Sequence, residues 1–431
     1  MDNRRLFFFF VITSIFAFGV IVWYFFFYSP NKAPTLATPH NILDSIPAPR
    51  IQFITNYFTN NADQNNSTTT TEITPQSLQV LTQIWNKPAT GATFVSIPIL
   101  KEVTSTSTVS SSTQMTKKMV KATSTILLFV DRTTGYVYGN NTETGEVYQI
   151  SNTLIPGVYD AYVFNDGKRV LMRYLDSDQT SIISLVANIP SVLNMGTPTS
   201  LSNITYLPKN ITSVAVSPSS LKLSFLVSGT LGSNIYTVTS KGQSLAASSP
   251  FSEWNIFYGG EQLYANSKAS AYVEGSTVLV PSFVKVVTEK TGLTSIVSSK
   301  GVALSSMWSN SGLVTFISSS GDVHVLDKKT ISSKCGEGKN GVFLCAVPKE
   351  IPSEVEGLPD DWYQGRYSFD DSLFLVDPRT GQSYLLYSFD NNTDGFDITQ
   401  IKSFKDGSLI DYINKKDGTL WLLRPNLIKV D

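Results

Sequence analysis

The chain has 431 residues, of which 33 are Lys or Arg, 34 are Asp or Glu and 2 are His, so its formal net charge is -1. This near-neutral balance excludes the basic footprint of a nucleic-acid-binding protein. A composition of 42% hydrophobic and 16% charged residues excludes wholesale disorder and is typical of a packed body. The two histidines, His40 and His324, and the two cysteines match no finger, haem or iron-sulfur spacing, so we expect no soft-ligand metal centre.

The N-terminus contains a candidate membrane span at residues 6–28, an uncharged stretch of 23 residues that includes nine Phe. Its length exceeds what a helix needs to cross roughly 30 Å of bilayer hydrocarbon. Arg4 and Arg5 precede it, and no small-residue cleavage pattern follows it. We therefore predict an uncleaved transmembrane helix, with residues 1–5 in the cytoplasm and the rest of the chain in the periplasm or extracellular space. A buried core helix is the alternative.

Two low-complexity stretches follow the candidate span. Residues 29–75 are rich in Pro, Asn and Thr with little apolar periodicity, and we predict a flexible stalk. The run Thr104–Thr113 consists almost entirely of Ser and Thr, and we predict a surface loop there. We predict that the remaining residues, 76–431, form one folded domain.

This domain is predicted to be all-β, because short alternating runs rich in Val, Ile, Tyr and Thr recur between turn residues. One apolar or aromatic strand core recurs seven times, at a mean spacing of about 47 residues, which is the length of a four-stranded propeller blade. The seven cores are Val137-Tyr138, Ile182-Ile183, Ile235-Tyr236, Val278-Leu279, Val323-His324, Leu373-Phe374 and Leu420-Trp421. We predict a seven-bladed β-propeller preceded by one transmembrane helix, with six or eight blades as alternatives.

Closure of this ring needs a further strand. Only ten residues follow Trp421, so the last blade lacks an outer strand, and the apolar segment Leu78–Trp85 is available to complete it. Because an incomplete ring leaves an unpaired sheet edge, we predict that this N-terminal segment closes the ring.

Several local motifs resemble known propellers. Val214-Ala215-Val216-Ser217-Pro218, followed by Leu223–Val227 and Asn234-Ile235-Tyr236, resembles the repeat of TolB-type and WD-like propellers. Further motifs resemble uncharacterised single-pass membrane-anchored β-propeller proteins of candidate-phyla bacteria. These motifs are Asp131–Tyr138, Ser151–Pro156, Cys345–Pro348, Pro359–Gly365 and Asp417–Trp421. The resemblance implies a propeller topology and an N-terminal membrane anchor. It implies no substrate and no catalytic residue.

The two cysteines, Cys335 and Cys345, enclose a segment whose Gly338–Gly341 supplies turn residues. The spacing predicts two adjacent strands with the cysteines at disulfide reach, and an oxidising compartment would close the bridge. Two free buried thiols are the alternative.

A weak calcium motif lies near the C-terminus. Asp390, Asn392 and Asp394 precede a glycine in the pattern D-x-N-x-D-G, whose alternating oxygens can converge on Ca²⁺. The twelfth position is Ile401 instead of Glu, which leaves Asp397 as a substitute ligand. An ordinary polar turn is the alternative reading, so Ca²⁺ is the one cofactor that the sequence suggests.

Two aromatic residues, Trp362 and Tyr363, follow a pair of aspartates in a turn-like segment. Exposed aromatics on a loop anchor protein or glycan partners, so both residues are candidate binding residues. Packing at a blade edge is the alternative.

Catalytic motifs are weak throughout. A serine triad needs a general base, and His324 occupies a repeat position that aromatic residues hold elsewhere, where packing explains it better. The sequence therefore favours a non-enzymatic binding or assembly module for protein or cell-envelope glycan partners, with an envelope hydrolase or lyase as the alternative. A central mouth lined by clustered carboxylates would favour the enzyme, and a mouth lined by amides and aromatics would favour binding.

Overall fold

The computed structural model describes residues 79–109, 112–191, 197–230, 232–267, 277–279, 294–295, 302–305, 314–317, 323–351, 357–389 and 395–428. All of them belong to one compact unit, Pro49–Asp431. The other unit, Met1–Ala48, and the predicted stalk at 29–75 lie outside these ranges.

The described chain is almost entirely β, and within these ranges its strands form seven antiparallel sheets. The first strand, β1 (Leu81–Trp85), belongs to the last sheet. Sheet 1 contains β2 (Ala89–Val109), β3 (Ser112–Asp131), β4 (Val137–Asn141) and β5 (Val147–Gln149). Sheet 2 contains β6 (Val158–Val163), β7 (Arg169–Leu175), β8 (Ile182–Asn188) and β9 (Ser202–Tyr206). Sheet 3 contains β10 (Ile211–Val216), β11 (Leu223–Gly229), β12 (Gly232–Thr239) and β13 (Gly242–Ser249).

Sheets 4 and 5 contain short strands, and sheet 5 has three described strands. Sheet 4 contains β14 (Asn255–Gly259), β15 (Gln262–Asn266), β16 (Thr277–Leu279) and β17 (Thr294–Ser295), and sheet 5 contains β18 (Val302–Ser305), β19 (Val314–Ile317) and β20 (Val323–Val325). Sheet 6 contains β21 (Cys335–Glu337), β22 (Phe343–Pro348), β23 (Asp371–Val376) and β24 (Ser383–Tyr387). Sheet 7 contains β25 (Ile398–Ser403), β26 (Ile410–Asn414), β27 (Leu420–Leu423) and β1. The single α-helix of the described ranges is α1 (Asp360–Tyr363), and short 3-10 turns lie at Ser332–Lys334, Lys339–Gly341 and Pro425–Leu427.

Each sheet is a meander in which strands pair in chain order, except that β1 pairs with β27 in sheet 7. Leu81 lies opposite Leu423 and Thr82 lies opposite Leu422, which confirms the predicted closing strand. The Trp85 indole fixes this strand to sheet 1, because its Nε1 donates a hydrogen bond of 3.0 Å to Asp131. Its ring also lies 4.6 Å from that of Tyr138. The N-terminal strand therefore ties the end of the domain to its beginning.

The repeat read from the sequence matches the observed sheets. Within the described ranges, each of the seven predicted strand cores lies in the third strand of one sheet, namely β4, β8, β12, β16, β20, β23 or β27. The expected periodicity arises because equivalent strands bury equivalent alternating side chains. The number of blades in a closed ring stays a prediction.

Neighbouring sheets meet at their first strands, where β2 contacts β6, β10 contacts β14, β21 contacts β25, and β25 contacts β2. Apolar clusters fill the space between successive sheets. One cluster joins sheets 1 and 2 through Leu128 and Met172, and another joins sheets 6 and 7 through Leu375 and Tyr412. Up-and-down sheets that pack face to face with adjoining first strands have the architecture of β-propeller blades.

Several first strands are bulged. The register shifts in β2, β6, β10 and β25. Gly91, in the β2 bulge, has a φ of +68°, and a Cβ there would lie 2.8 Å from the Ala161 carbonyl oxygen. Only glycine allows the backbones of β2 and β6 to approach this closely.

The prediction of a surface loop at Thr104–Thr113 was wrong. Residues 104–109 lie in β2 and residues 112–113 lie in β3, with Val109 opposite Ser112 and Thr104 opposite Lys117. Thr is β-branched and favours extended backbone, so a Ser/Thr-rich run can extend a hairpin as well as form a loop. β3 pairs with β2 from Ser112 onward, whereas it pairs with β4 only from Ile126 onward. The outer part of this hairpin therefore extends past the rest of sheet 1.

Candidate functional site

The first strands of five sheets line a cavity of about 490 Å³. Its walls come from β6, β10, β14, β21 and β25, together with the segments around Ser332 and Tyr363. A volume of this size lies within the range of small-molecule binding sites. The topology therefore places residues that are far apart in sequence around one space.

Amides, hydroxyls and aromatic rings dominate the lining of this first cavity. The amide and hydroxyl residues are Asn255, Asn266, Gln400, Ser213, Ser332, Ser333 and Thr399, and the aromatic residues are Tyr162, Phe257, Tyr258, Phe343 and Tyr363. Among the described lining residues, Glu337 is the one carboxylate, and none is Lys, Arg or His. Such a surface is suited to hydrogen bonding and ring stacking.

Local backbone geometry presents some of these groups. The bulge in β25 lies between Thr399 and Lys402, and Gln400 within it has a φ of +53°. A bulge re-aims the side chains of its strand, and here it brings both Thr399 and Gln400 to the cavity wall. In β14, the Tyr258 hydroxyl lies 2.8 Å from Ser224 Oγ, a contact that restrains its ring.

Glu337 occupies a special place because it lines both this cavity and a second one. It ends β21, opposite Phe343 in β22. Its side chain stays accessible because the cavities are open, yet the surrounding walls desolvate the carboxylate and raise its pKa. Within the part of the chain that the structure describes, no cation or hydrogen-bond donor contacts this carboxylate.

The second cavity has a volume of about 580 Å³ and mixes both signs of charge. β2 supplies Thr93 and Phe94, the turn after β6 supplies Asp166, and β25 and its following turn supply Lys402 and Lys405. The Lys402 ammonium donates to the Ala92 carbonyl oxygen at 2.5 Å and to Thr93 Oγ1 at 2.9 Å. Burial lowers the pKa of Lys402.

Trp362, a candidate binding residue, is buried, as the packing alternative predicts. Only 4% of it is exposed, and it packs in α1 with Ile331, Leu358 and Phe369. Its indole Nε1 donates to the Asp397 carboxylate at 2.9 Å. The Trp362 ring also lies 4.9 Å from the Lys334 ammonium, so this side chain covers a buried ion pair between Lys334 and Asp397.

That ion pair centres on Lys334, whose ammonium lies 2.7 Å from Asp371 Oδ2 and 2.6 Å from Asp397 Oδ1. All three side chains are fully buried. Burial raises the pKa of Asp371 to about 6, and Lys334 opposes this rise. This cluster lies at the junction of sheets 6 and 7, and no local pattern of the sequence predicts it.

Tyr363, the other predicted binding residue, is half-buried and lies in the wall of the first cavity. Burial raises the pKa of its hydroxyl above the ordinary value of a tyrosine. The structure therefore separates the two adjacent aromatics, placing Trp362 in the core and Tyr363 at the cavity.

Of the four predicted calcium ligands, the structure describes only Asp397. Asp390, Asn392 and Asp394 lie outside the described residues, so that part of the site stays a prediction. Asp397 is fully buried, and its oxygens accept hydrogen bonds from Lys334, Trp362 and the Phe369 amide. These contacts saturate Asp397 and remove it from the expected ligand set. Across the described ranges, no group of three or more His, Cys, Asp or Glu is placed to hold a metal ion.

The two cysteines are joined by a disulfide that links β21 to β22, with their Cα atoms 4.1 Å apart. Cys345 is fully buried, whereas Cys335 lines the first cavity two residues before Glu337. The bridge therefore fixes the strand that carries Glu337.

The candidate span at residues 6–28 lies outside the described residues, as does His40. His324 lies in β20, as predicted for a strand core. Among the helices that the structure describes, none is long and apolar enough to cross a membrane.

Comparison with known proteins reveals likeness only among solved structures, since no protein-family model and no curated protein matches the chain. TolB from Acinetobacter baumannii is 8% identical over 77% of this chain and 79% of its own, with a TM-score of 0.35. The β-propeller domain of the trilobed protease from Pyrococcus furiosus is 11% identical over 67% and 74%, with a TM-score of 0.30. The β-propeller domain of Cps50 (Swd1) from Myceliophteria thermophila is 9% identical over 69% and 80%, with a TM-score of 0.34. The propeller assignment rests on the sheet topology of this chain.

Proposed function

We propose that the chain is a non-enzymatic binding or assembly module, a seven-bladed propeller whose first cavity takes a protein segment or a cell-envelope glycan. One observation carries this proposal. Amides, hydroxyls and aromatic rings make up most of the described lining of the cavity, and Glu337 is its one carboxylate. A rigid frame of this kind suits recognition, because the lining groups are held in place before a ligand arrives.

The proposed location is the outer side of the cytoplasmic membrane. Residues 6–28 would span the bilayer as a single helix with the N-terminus inside, and residues 29–75 would separate the propeller from the membrane surface. The Cys335–Cys345 disulfide supports this location, since such bonds persist in oxidising compartments.

A hydrolase or lyase is the alternative function. Acid and base catalysis on a glycan generally needs two carboxylates that face one bond. Glu337 lines the first cavity, and Asp166 lines the second cavity together with Glu337. Glu337 has the raised pKa that a general acid requires, which is the specific observation that favours this alternative.

One experiment separates the two functions. The full chain, purified in a mild detergent, is titrated calorimetrically with soluble glycan fragments of a bacterial cell wall, and the mixture is then analysed by mass spectrometry. Saturable binding with intact fragments is the expected result. Cleaved fragments that disappear with Glu337→Gln would establish the enzyme instead.

A further inference from the structure

We propose that the first cavity binds a glycan that carries free primary amino groups, with the Glu337 carboxylate as the anchor for one ammonium. This inference rests on the proposed function and narrows its ligand class.

The charge of the described lining is negative. Among the described residues that line the first cavity, Glu337 is the one carboxylate and none is cationic. Lys402 and Lys405 line the second cavity instead. Within the described chain, Glu337 has no ion-pair partner, and desolvation alone shifts its pKa. An incoming ammonium would supply the missing counterion and form a charge-assisted hydrogen bond.

The aromatic rings favour the same ligand. Tyr162, Tyr258, Phe343 and Tyr363 line this space together with Glu337. The faces of aromatic rings attract cations, and their apolar surface also stacks against sugar rings. A neutral apolar ligand would use the rings but would leave the carboxylate desolvated and without a partner, which is costly.

The polar lining distinguishes a glycan from a peptide. Asn255, Gln400, Ser332, Ser333 and Thr399 line the cavity from different elements and offer side-chain donors and acceptors. A sugar presents hydroxyl groups around its whole ring, so it can satisfy groups on several walls at once. A lysine side chain presents an ammonium on an apolar stem, and the amide groups of its backbone lie several bonds from that ammonium, so fewer of these groups would find a ligand partner around the anchored nitrogen.

The test compares two probes of equal length, a glucosamine tetramer and an N-acetylglucosamine tetramer, which differ in the charge on nitrogen. Each is titrated calorimetrically into the full chain in detergent. We expect the glucosamine tetramer to bind at least about tenfold more tightly, since a hydrogen bond between charged groups has that effect. Glu337→Gln should remove this preference, whereas Glu143→Gln, on the exposed turn after β4, should leave it unchanged.

A pH series on the wild type gives a readout that does not depend on a variant folding. Because desolvation raises the pKa of Glu337, affinity for the glucosamine tetramer should rise with pH as this carboxylate ionises. The rise should end where the amine loses its proton. Affinity for the acetylated tetramer should not rise in this way.

Three results would overturn the inference. Equal affinity for both tetramers would do so while leaving the proposed function intact, because the cavity would still bind a glycan. Tighter binding of a lysine tripeptide than of the glucosamine tetramer, with the same dependence on Glu337, would replace the glycan by a peptide. Binding of neither tetramer would also overturn it, and the titration with cell-wall fragments would then decide the proposed function separately.

Discussion

Lys402 and Asp411 lie directly opposite each other on β25 and β26, yet the Lys402 ammonium donates to β2. The Asp411 carboxylate is fully buried, and within the described part of the chain neither of its oxygens has a hydrogen-bond partner. Burial raises the pKa of Asp411 to about 7, and Lys402 opposes the rise. This carboxyl group therefore links the stability of the domain to pH.

Asp411→Asn is expected to stabilise the fold above neutral pH. The folded chain holds the Asp411 proton up to a pKa of about 7, whereas an unfolded aspartate releases it near its ordinary value of 3.8. Between these values the folded state binds more protons, so the Asp411 contribution to stability falls as pH rises from about 4 to about 7. At pH 8 the variant should gain about 1–3 kcal/mol in free energy of unfolding.

Urea unfolding at pH 5 and pH 8 measures this effect. The gain should be small at pH 5, where the wild-type carboxyl is protonated. Glu253→Gln, which changes an exposed carboxylate, serves as the control and should show the wild-type pH dependence. An equal gain for Asp411→Asn at both pH values would show that ionisation of Asp411 is not the cause.

Lys334→Met is expected to lower the free energy of unfolding by about 3–5 kcal/mol. The substitution leaves Asp371 and Asp397 buried without their counterion, which costs far more than losing an exposed pair. Lys349→Met is the matched control, because Lys349 pairs with the partly exposed Asp370 and should cost at most about 1 kcal/mol. Similar losses for both variants, measured by chemical denaturation, would contradict the assigned role.

Deletion of residues 76–86 is expected to destabilise the domain by at least about 3 kcal/mol, since loss of the Trp85 side chain alone has an effect of this size. The deletion removes β1, exposes the edge of β27 and breaks the Trp85 contact with Asp131. Removal of an equally long segment, residues 60–70 in the predicted stalk, is the control. Thermal unfolding that is unchanged by the first deletion would show that the ring does not need this strand.

Replacement of both Cys335 and Cys345 by Ser is expected to cost about 2–3 kcal/mol, because the bridge closes only a short loop. Mass spectrometry of the denatured wild type with a maleimide should show no adduct before reduction and two adducts after it. A reducing agent should destabilise the wild type and leave the double variant unchanged. Two adducts without reduction would mean that the thiols are free.

The sequence predicted the fold better than the site, for a physical reason. Strand cores such as Ile235-Tyr236 follow a local alternation that a single strand reveals, and the segment Leu78–Trp85 was predictable because the last sheet lacked a strand. Lys334 pairs with Asp397, which lies 63 positions away in the sequence. No local sequence pattern predicts such a pair. The sequence left Trp362 open between binding and packing for the same reason, since its contact with that distant pair accompanies its burial. Ser and Thr in Thr104–Thr113 are compatible with loop and strand alike, and composition alone could not decide between them.

The residues that line the first cavity could not be predicted from the sequence either. Glu337, Gln400 and Tyr258 lie in different sheets, and only the convergence of first strands brings them to one space. The cysteine motif could have drawn attention to Glu337, which lies two residues after Cys335.

An experimental structure of the full chain with the glucosamine tetramer would test the central claim most directly. We expect seven sheets around one axis, with first strands innermost and the ligand nitrogen beside the Glu337 carboxylate. Sheets that share no axis, or a ligand bound away from the first strands, would contradict it.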